Sequence, residues 1–243
     1  MWQALVPLTH LVTMAERKSL AARLIGWTLI WQLILMVVVF VPAGTWKFWP
    51  GWAYLGVNLV GTIHFCVYFY RRDPQLLERR LLRKETVKAQ KIIMRLLRLL
   101  NLIVLTLPGL DFRFGWSRQY LRPVPWWLMV PALGVVLACH CWFVAVMNAN
   151  RFAASVIQVE AGQTVMDTGP YRMVRHPMYF GGVVLLLSAP LALGSFVAWP
   201  AFALLIPFLA LRLLNEEKFL RRELPGYAEY CRRTRYRLVP FVW

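Results

Sequence analysis

Long apolar stretches, separated by short clusters of charged residues, extend through most of this chain. A segment of about 20 apolar residues is long enough to cross the hydrocarbon layer of a membrane as a helix. Helices are expected because lipid offers no hydrogen-bond partners to the backbone of an open sheet. The pattern predicts five membrane-spanning helices, at residues 24–41, 52–70, 126–147, 178–193 and 196–214.

A sixth apolar stretch, residues 99–116, is ambiguous. Its uninterrupted apolar part covers only residues 102–110, and Asp111 and Arg113 follow at once, so it is either a span or a re-entrant or interfacial segment. Charge favours a span, because Lys and Arg concentrate on the cytosolic side of membrane proteins. With six spans, both termini are cytosolic, and the outward-facing cations are only Lys47, Arg113, Arg118 and Arg122 of the 28 Lys and Arg residues. We therefore predict an all-α, polytopic transmembrane bundle of about six spans, with five as the alternative.

The composition agrees with an integral, multi-pass membrane protein, since 59% of the residues are hydrophobic and the mean hydropathy is +0.52. A net charge of +17 would suit nucleic acid, but the cations flank the spans, so we expect membrane lipids as the partner and no nucleic acid. Apolar residues recur at helical spacing among the Arg and Lys residues from 76 to 100. This predicts an interfacial amphipathic helix in the basic region at about 71–98, which either anchors the chain or recognises lipid head groups.

Histidine and cysteine residues give little sign of a metal site. Cys139, His140 and Cys141 are consecutive, but neighbouring positions on a helix point about 100° apart and no second ligand pair follows. We therefore predict no bound metal. His64 and His140 are interpreted as packed or hydrogen-bonded within the bundle, with a functional role as the alternative.

Two polar clusters stand at the ends of one predicted hairpin, at residues 169–181 and 212–217. Pro177 disfavours helical geometry at His176, so the first cluster forms a turn that enters the span 178–193. The next span returns the chain to the second cluster, on the same face of the membrane. The clusters are expected to converge on a single pocket, unless the Arg side chains extend to lipid head groups and the Glu side chains are solvated.

The polar residues of both clusters also carry a family resemblance. The matching positions are Gly169-Pro170-Tyr171-Arg172, Val174-Arg175-His176-Pro177, Tyr179, Gly181, Arg212, Glu216-Glu217, Gly226-Tyr227, Tyr230, Arg237 and Pro240. In this order they resemble the isoprenylcysteine carboxyl methyltransferase and phospholipid methyltransferase superfamily. The resemblance covers the C-terminal third of the chain, whereas residues 1–145 carry no matching motif. It implies an enzyme that binds S-adenosylmethionine at the cytosolic face, over a helical hairpin and beneath a C-terminal helical lid.

The resemblance also divides the chain and assigns roles to its residues. It implies N-terminal transmembrane helices at 1–150 and a cofactor-binding catalytic region at 151–243. Arg175 and Arg212 match arginines near the methyl acceptor, and Glu217 is counted with them as a catalytic candidate. Gln163 stands where many relatives have His, so the resemblance does not assign a residue to that wall of the cofactor pocket. The cofactor-binding candidates are Gln158, Tyr171, His176, Pro177, Tyr179, Glu216 and Glu217.

The predicted activity is methyl transfer from S-adenosylmethionine to a lipophilic acceptor. A carboxylate or thiol of a prenylated or lipid-like substrate is favoured, because a carboxylate is already ionised and needs only a cation such as Arg175 or Arg212 to orient it. An amine acceptor needs a base, a role open to His176 or Glu217, so a phospholipid amine N-methyltransferase is the first alternative. An NADPH-dependent membrane sterol or enone reductase and a non-catalytic scaffold are alternatives of other classes. The acceptor and the oligomeric state are not determined by the sequence.

Overall fold

The computed structural model describes residues 14–82, 88–150 and 164–243, and in these residues the only regular secondary structure is helical. The helices are α1 (Met14–Ala43), α2 (Trp49–Arg72), α3 (Pro74–Leu82), α4 (Lys88–Phe114), α5 (Trp116–Tyr120), α6 (Trp126–Ala149), α7 (Pro170–Met173), α8 (Pro177–Ala192), α9 (Trp199–Ala203), α10 (Ile206–Glu223) and α11 (Tyr227–Arg233).

Five of the described helical segments are long and apolar enough to cross a membrane: Arg17–Ala43, Trp49–Arg72, Gln90–Phe114, Trp126–Ala149 and Trp199–Glu223. A sixth apolar helix, α8, has 16 residues. This confirms the predicted polytopic helical bundle of five or six spans.

The ambiguous stretch 99–116 belongs mostly to α4, a continuous helix of 27 residues. No Pro or Gly separates Lys88 from the apolar residues 102–110, so the helix continues from the basic segment into the span. The predicted amphipathic helix is accordingly divided between two elements. Its first part is α3, and its remainder, from Lys88 onward, is the beginning of α4.

The six long apolar helices form a closed ring. α1 packs against α2 and α4, α6 packs against α2 and α8, and α10 packs against α8 and α4. Glycines allow close contacts between these helices, because a Cβ on Gly61 of α2 would lie 2.3 Å from the His140 ring of α6, and one on Gly181 of α8 would lie 2.7 Å from Trp142. Small residues at helix crossings let membrane helices pack closely.

One end of the ring holds the loops 44–48, 115–125 and 193–198. Asp111, at the end of α4, connects the second and third of these loops, since it accepts hydrogen bonds from Ser117 N at 2.6 Å and from Ser195 Oγ at 2.5 Å. The buried carboxylate is thereby satisfied, which its position near the membrane requires. Buried apolar side chains fill this half of the ring, among them Leu35, Val39, Phe40, Phe48, Phe202 and Leu205.

The opposite end of the ring holds the two polar clusters and the C-terminal residues. The backbone N–H groups of Arg175 and His176 donate to the carbonyl oxygens of Tyr236 and Arg237, each at 2.9 Å. These bonds hold the C-terminal segment over the turn before α8, where a lid was predicted. The predicted division of the chain at residue 150 stays a prediction.

Candidate functional site

A cavity of about 600 Å³ opens inside the helix ring, at the end that carries the polar clusters. Its volume lies within the range of about 300–1,000 Å³ that is usual for cofactor and small-molecule sites. Much of its polar lining comes from the turn before α8, from α10 and from α11, and further polar residues, among them Thr62, Asn101 and His140, come from α2, α4 and α6. The apolar lining includes Phe65, Leu97, Phe143, Met147, Leu185, Leu186, Leu205 and Leu209.

Three side chains of the polar part form one hydrogen-bonded chain. The Tyr179 hydroxyl donates to Glu216 Oε2 at 2.6 Å, and Arg212 Nε donates to the Tyr179 hydroxyl at 3.0 Å. Tyr179 stands on the first turn of α8, whereas Arg212 and Glu216 are one turn apart on α10. The hairpin therefore brings together residues that the sequence separates, as its geometry predicted. The arrangement presents one carboxylate and one guanidinium to the cavity.

His176 occupies the position before α8 and is 5% exposed. Its φ of −127° and ψ of 63° lie outside the helical region. This agrees with the turn that was predicted from the presence of Pro177. The imidazole Nε2 lies 3.4 Å from the Tyr227 hydroxyl, and its ring meets the Tyr179 ring edge-on. Burial is the main cause that lowers the pKa of His176 to about 4. The imidazole is therefore neutral near pH 7.

Glu217 lies behind the cavity and is absent from its lining, although it is adjacent to Glu216 in sequence. Its carboxylate accepts from Arg175 Nη1 at 2.5 Å and from Arg237 Nε at 2.7 Å. It is 3% exposed, so the cluster is a buried ion pair that fastens the C-terminal segment to the turn before α8. Arg175 does line the cavity, but its Nη2 also donates to the Arg235 carbonyl at 3.2 Å.

Tyr171 connects the turn to the lid. Its carbonyl accepts a hydrogen bond from the Tyr230 hydroxyl of α11 at 2.7 Å. Its own phenol lines the cavity, and burial raises the pKa of Tyr171 to about 12. The phenol is therefore a neutral donor. Pro177 also lines the cavity, and its carbonyl accepts from Trp142 Nε1 at 2.7 Å.

The structure brings Tyr171, Arg175, His176, Pro177, Tyr179, Arg212 and Glu216 to one cavity. Gln158 and Gln163 lie outside the described residues, so their predicted places stay predictions, as do the roles of the others. Sequence reasoning did not assign Arg80, Tyr227 or Tyr230 to the site, yet all three line the cavity. The two tyrosines belong to the sequence motif on which the resemblance was based, and Arg80 interrupts the apolar face of α3.

The residues considered as metal ligands are engaged in helix packing. His140 Nδ1 lies 2.9 Å from the Val136 carbonyl, and its ring packs on Gly61. Cys139 is buried and Cys141 is exposed, so the two thiols do not face a common point. No group of three or more potential ligands occurs in the described parts of the chain.

The isoprenylcysteine carboxyl methyltransferase family model matches residues 129–222. This match confirms the resemblance predicted from the motif, and it covers α6, α8 and α10, which form three walls of the cavity. It supports a membrane-embedded methyltransferase.

Three curated proteins are similar to parts of the chain. A Delta(14)-sterol reductase of Mus musculus is 32% identical over 91 residues, which are 36% of this chain and 22% of that protein. The cobalt-zinc-cadmium resistance protein CzcN of Cupriavidus metallidurans is 29% identical over 140 residues, 54% of this chain and 58% of that protein. The nickel-cobalt-cadmium resistance protein NccN of Alcaligenes xylosoxydans xylosoxydans is 37% identical over 112 residues, 44% of this chain and 47% of that protein. The chain thus spans between about a fifth and three fifths of these relatives.

Proposed function

We propose that this protein is an integral membrane methyltransferase that takes its methyl group from S-adenosylmethionine and passes it to a lipophilic acceptor. The observation that carries the proposal is a single cavity with polar and apolar lining, to which the region matched by the methyltransferase family model contributes most of the residues. A water-soluble methyl donor requires the polar part of the cavity, and a lipid-tailed acceptor requires the apolar part.

The residues of the polar part fit the donor. S-adenosylmethionine carries an ammonium group and ribose hydroxyls, and the Glu216 carboxylate, held by Tyr179, is an acceptor for either. When bound, this cofactor supplies a methyl carbon attached to a cationic sulfur. A protonated imidazole would repel such a cation, and burial keeps His176 neutral. The Tyr227 and Tyr230 side chains of the lid cover the same space.

The apolar part fits the acceptor. Its side chains come from α2, α4, α6, α8 and the beginning of α10, so apolar groups from several helices surround this part of the cavity. An acceptor with a hydrocarbon tail would keep the tail among these side chains while its reactive group reaches the polar part. Excluding water favours the transfer from a cationic donor to an anionic acceptor, because the two charges neutralise one another as the reaction proceeds.

The orientation follows from charge. Most Lys and Arg residues lie at the end of the ring that carries the cavity, so we place this end and both termini in the cytosol. The lipids of that leaflet are then the surrounding partner, and the cofactor enters from the cytosol.

Two experiments test the proposal. Calorimetric titration of the purified protein with S-adenosylmethionine and with NADPH distinguishes a methyltransferase from a reductase and from a non-catalytic scaffold. A nicotinamide-dependent reductase is the second candidate because a sterol reductase is similar to part of the chain. We expect binding of S-adenosylmethionine alone. Binding of NADPH alone would favour the reductase, and binding of neither would favour a scaffold.

Incubation of membranes with methyl-labelled cofactor, followed by mass spectrometry, identifies the acceptor. A label released by mild base indicates an ester and therefore a carboxylate acceptor, which is the expected result. A stable label indicates a thioether or an amine, and a labelled phospholipid amine would support the alternative N-methyltransferase.

A further inference from the structure

We propose that Arg80 is the residue that binds the anionic group of the methyl acceptor. The inference rests on the proposed function and narrows its substrate class to lipophilic carboxylates or thiolates. It follows from where α3 places this side chain and from what surrounds the guanidinium.

The position of Arg80 is set by the helix face on which it stands. Leu76 and Leu77 are 2% and 3% exposed and belong to a buried cluster with Phe69, Val144 and Met147. Residues three and four positions apart lie on the same face of a helix. Arg80 follows Leu77 by three residues and Leu76 by four, so it lies on the buried face of α3, where an apolar residue would be expected.

The surroundings of the guanidinium are largely apolar. Arg80 Nη1 contacts Met147 Sδ, and Arg80 Cζ lies 5.9 Å from the centroid of the Phe65 ring. Arg80 and Tyr171 both line the cavity. Among the described residues no carboxylate pairs with Arg80. A cation in such surroundings is stabilised by an anionic ligand.

Three other arginines line the cavity, of which Arg98 is exposed and the remaining two are already engaged within the protein. Arg175 pairs with Glu217 at 2.5 Å and donates to the Arg235 carbonyl, so its guanidinium already serves the attachment of the C-terminal segment. Arg212 Nε donates to the Tyr179 hydroxyl. Arg80 is therefore the cavity guanidinium best placed to receive a carboxylate from a bound ligand.

An anionic acceptor makes a base unnecessary. A carboxylate oxygen forms the new bond to the methyl carbon, the bond from that carbon to sulfur breaks, and the bonding pair stays on sulfur. The products are a neutral methyl ester and a neutral thioether, and no proton moves. Because the ester carries no charge, Arg80 holds the product less tightly than the substrate, which favours product release. An ammonium head group would be repelled by Arg80.

The test compares two adjacent arginines in the purified full-length protein. Arg80→Gln removes the cavity cation, whereas Arg79→Gln removes a cation whose Nε bonds to the Gln75 carbonyl and which does not line the cavity. The probe is a farnesylated N-acetylcysteine with a free carboxylate, together with its uncharged amide. KM, kcat and the binding of the amide are measured for each variant, and Arg80→Lys serves as the conservative replacement.

We expect Arg80→Gln to raise KM for the carboxylate at least tenfold, because a lost charge-assisted hydrogen bond weakens binding by that order. Arg79→Gln should match the unmodified protein, Arg80→Lys should recover part of the affinity, and binding of the amide should be the same in all. An unchanged KM in Arg80→Gln, or methylation of a lipid amine in place of the carboxylate, overturns the inference. Calorimetry with S-adenosylmethionine is run in parallel, and only a failure of the unmodified protein to bind this cofactor counts against the proposed function itself.

Discussion

Glu216 and Glu217 are adjacent acidic residues to which the structure gives opposite surroundings, and replacing each by Gln tests whether their roles differ accordingly. The replacement keeps the size of the side chain and removes its charge. Glu216 lines the cavity, whereas Glu217 lies in the ion-pair cluster with Arg175 and Arg237. We expect Glu217→Gln to lower stability and Glu216→Gln to weaken cofactor binding.

The magnitude for Glu217 follows from the burial of its partners. The side chains of Glu217 and Arg175 are 4% and 5% exposed, and removing one member of a buried pair costs about 3–5 kcal/mol because the other charge is left uncompensated. Arg237 is 31% exposed and Arg221 is 47% exposed, so water screens their share. We therefore expect Glu217→Gln to lower the free energy of unfolding by about 3 kcal/mol, which corresponds to a fall in the thermal midpoint of about 6–12 °C for a chain of this size.

For Glu216→Gln, the expected effect is a weaker binding of S-adenosylmethionine. The Glu216 carboxylate accepts from Tyr179 and faces the space proposed for the cofactor. A hydrogen bond to a charged group contributes about 1.5–3 kcal/mol, so Glu216→Gln should weaken S-adenosylmethionine binding by about ten- to a hundredfold. The thermal midpoint should fall less than in Glu217→Gln.

Thermal melting and calorimetry on the same detergent-solubilised samples measure both quantities. The assignment of the two glutamates is refuted if Glu217→Gln leaves the melting temperature unchanged and abolishes cofactor binding. In that case the carboxylate of Glu217 would turn toward the cavity and meet the ligand directly.

Three further predictions concern pH, cavity shape and topology. Burial lowers the pKa of His176 to about 4, so unfolding takes up a proton below about pH 6.5. As the pH falls from 6.5 to 4, the free energy of unfolding should therefore decrease by up to about 1.4 kcal/mol per pH unit. Thermal melts of His176→Gln should lack this pH dependence. Gly182 lines the cavity between Tyr179 and Leu185, and a Cβ there would lie 3.9 Å from Leu209. Gly182→Leu should therefore fill the cavity, so that turnover of long-tailed acceptors falls more than tenfold while the protein still folds. Kinetics with acceptors of graded tail length would measure this effect. In a cysteine-free background, Arg118→Cys should react with impermeant thiol reagents only from the outer side, and labelling only from the cytosol would overturn the six-span arrangement.

The meeting of the two polar clusters was predictable from the sequence because it depends on chain geometry alone. Pro177 sets the turn, and two consecutive apolar helices must return the chain to the face from which it left. The different surroundings of Glu216 and Glu217 were not predictable. Consecutive side chains of a helix point about 100° apart, and which of the two faces the cavity depends on how α10 is rotated against α8.

Arg80 shows a second limit of sequence reasoning. Its place on the buried face of α3 could be read from Leu76 and Leu77, but the position of α3 relative to the hairpin depends on packing against Phe69, Val144 and Met147. Those contacts join α3 not only to the preceding helix α2 but also to α6, which is distant in sequence. From the sequence alone, a basic residue in this segment is therefore interpreted as an anchor or as part of a lipid head-group site.

The short length of α8 determines how deeply the site lies in the membrane. A helix of 16 residues is about 24 Å long, whereas the hydrocarbon layer is about 30 Å thick. The C-terminal end of α8 is level with the beginning of α6, since a Cβ on Gly194 would lie 3.0 Å from Met129. At the other end, Trp142 Nε1 donates to the Pro177 carbonyl, and Trp142 precedes the last residue of α6, Ala149, by seven residues, or about 10 Å along the helix. His176 and Tyr179 are therefore recessed by about two helical turns below the end of α6, and the C-terminal segment closes the space above them. Under the proposed function, an acceptor anchored by its tail would not need to leave the lipid layer to reach this depth, which favours a reaction inside the bundle over one on its surface.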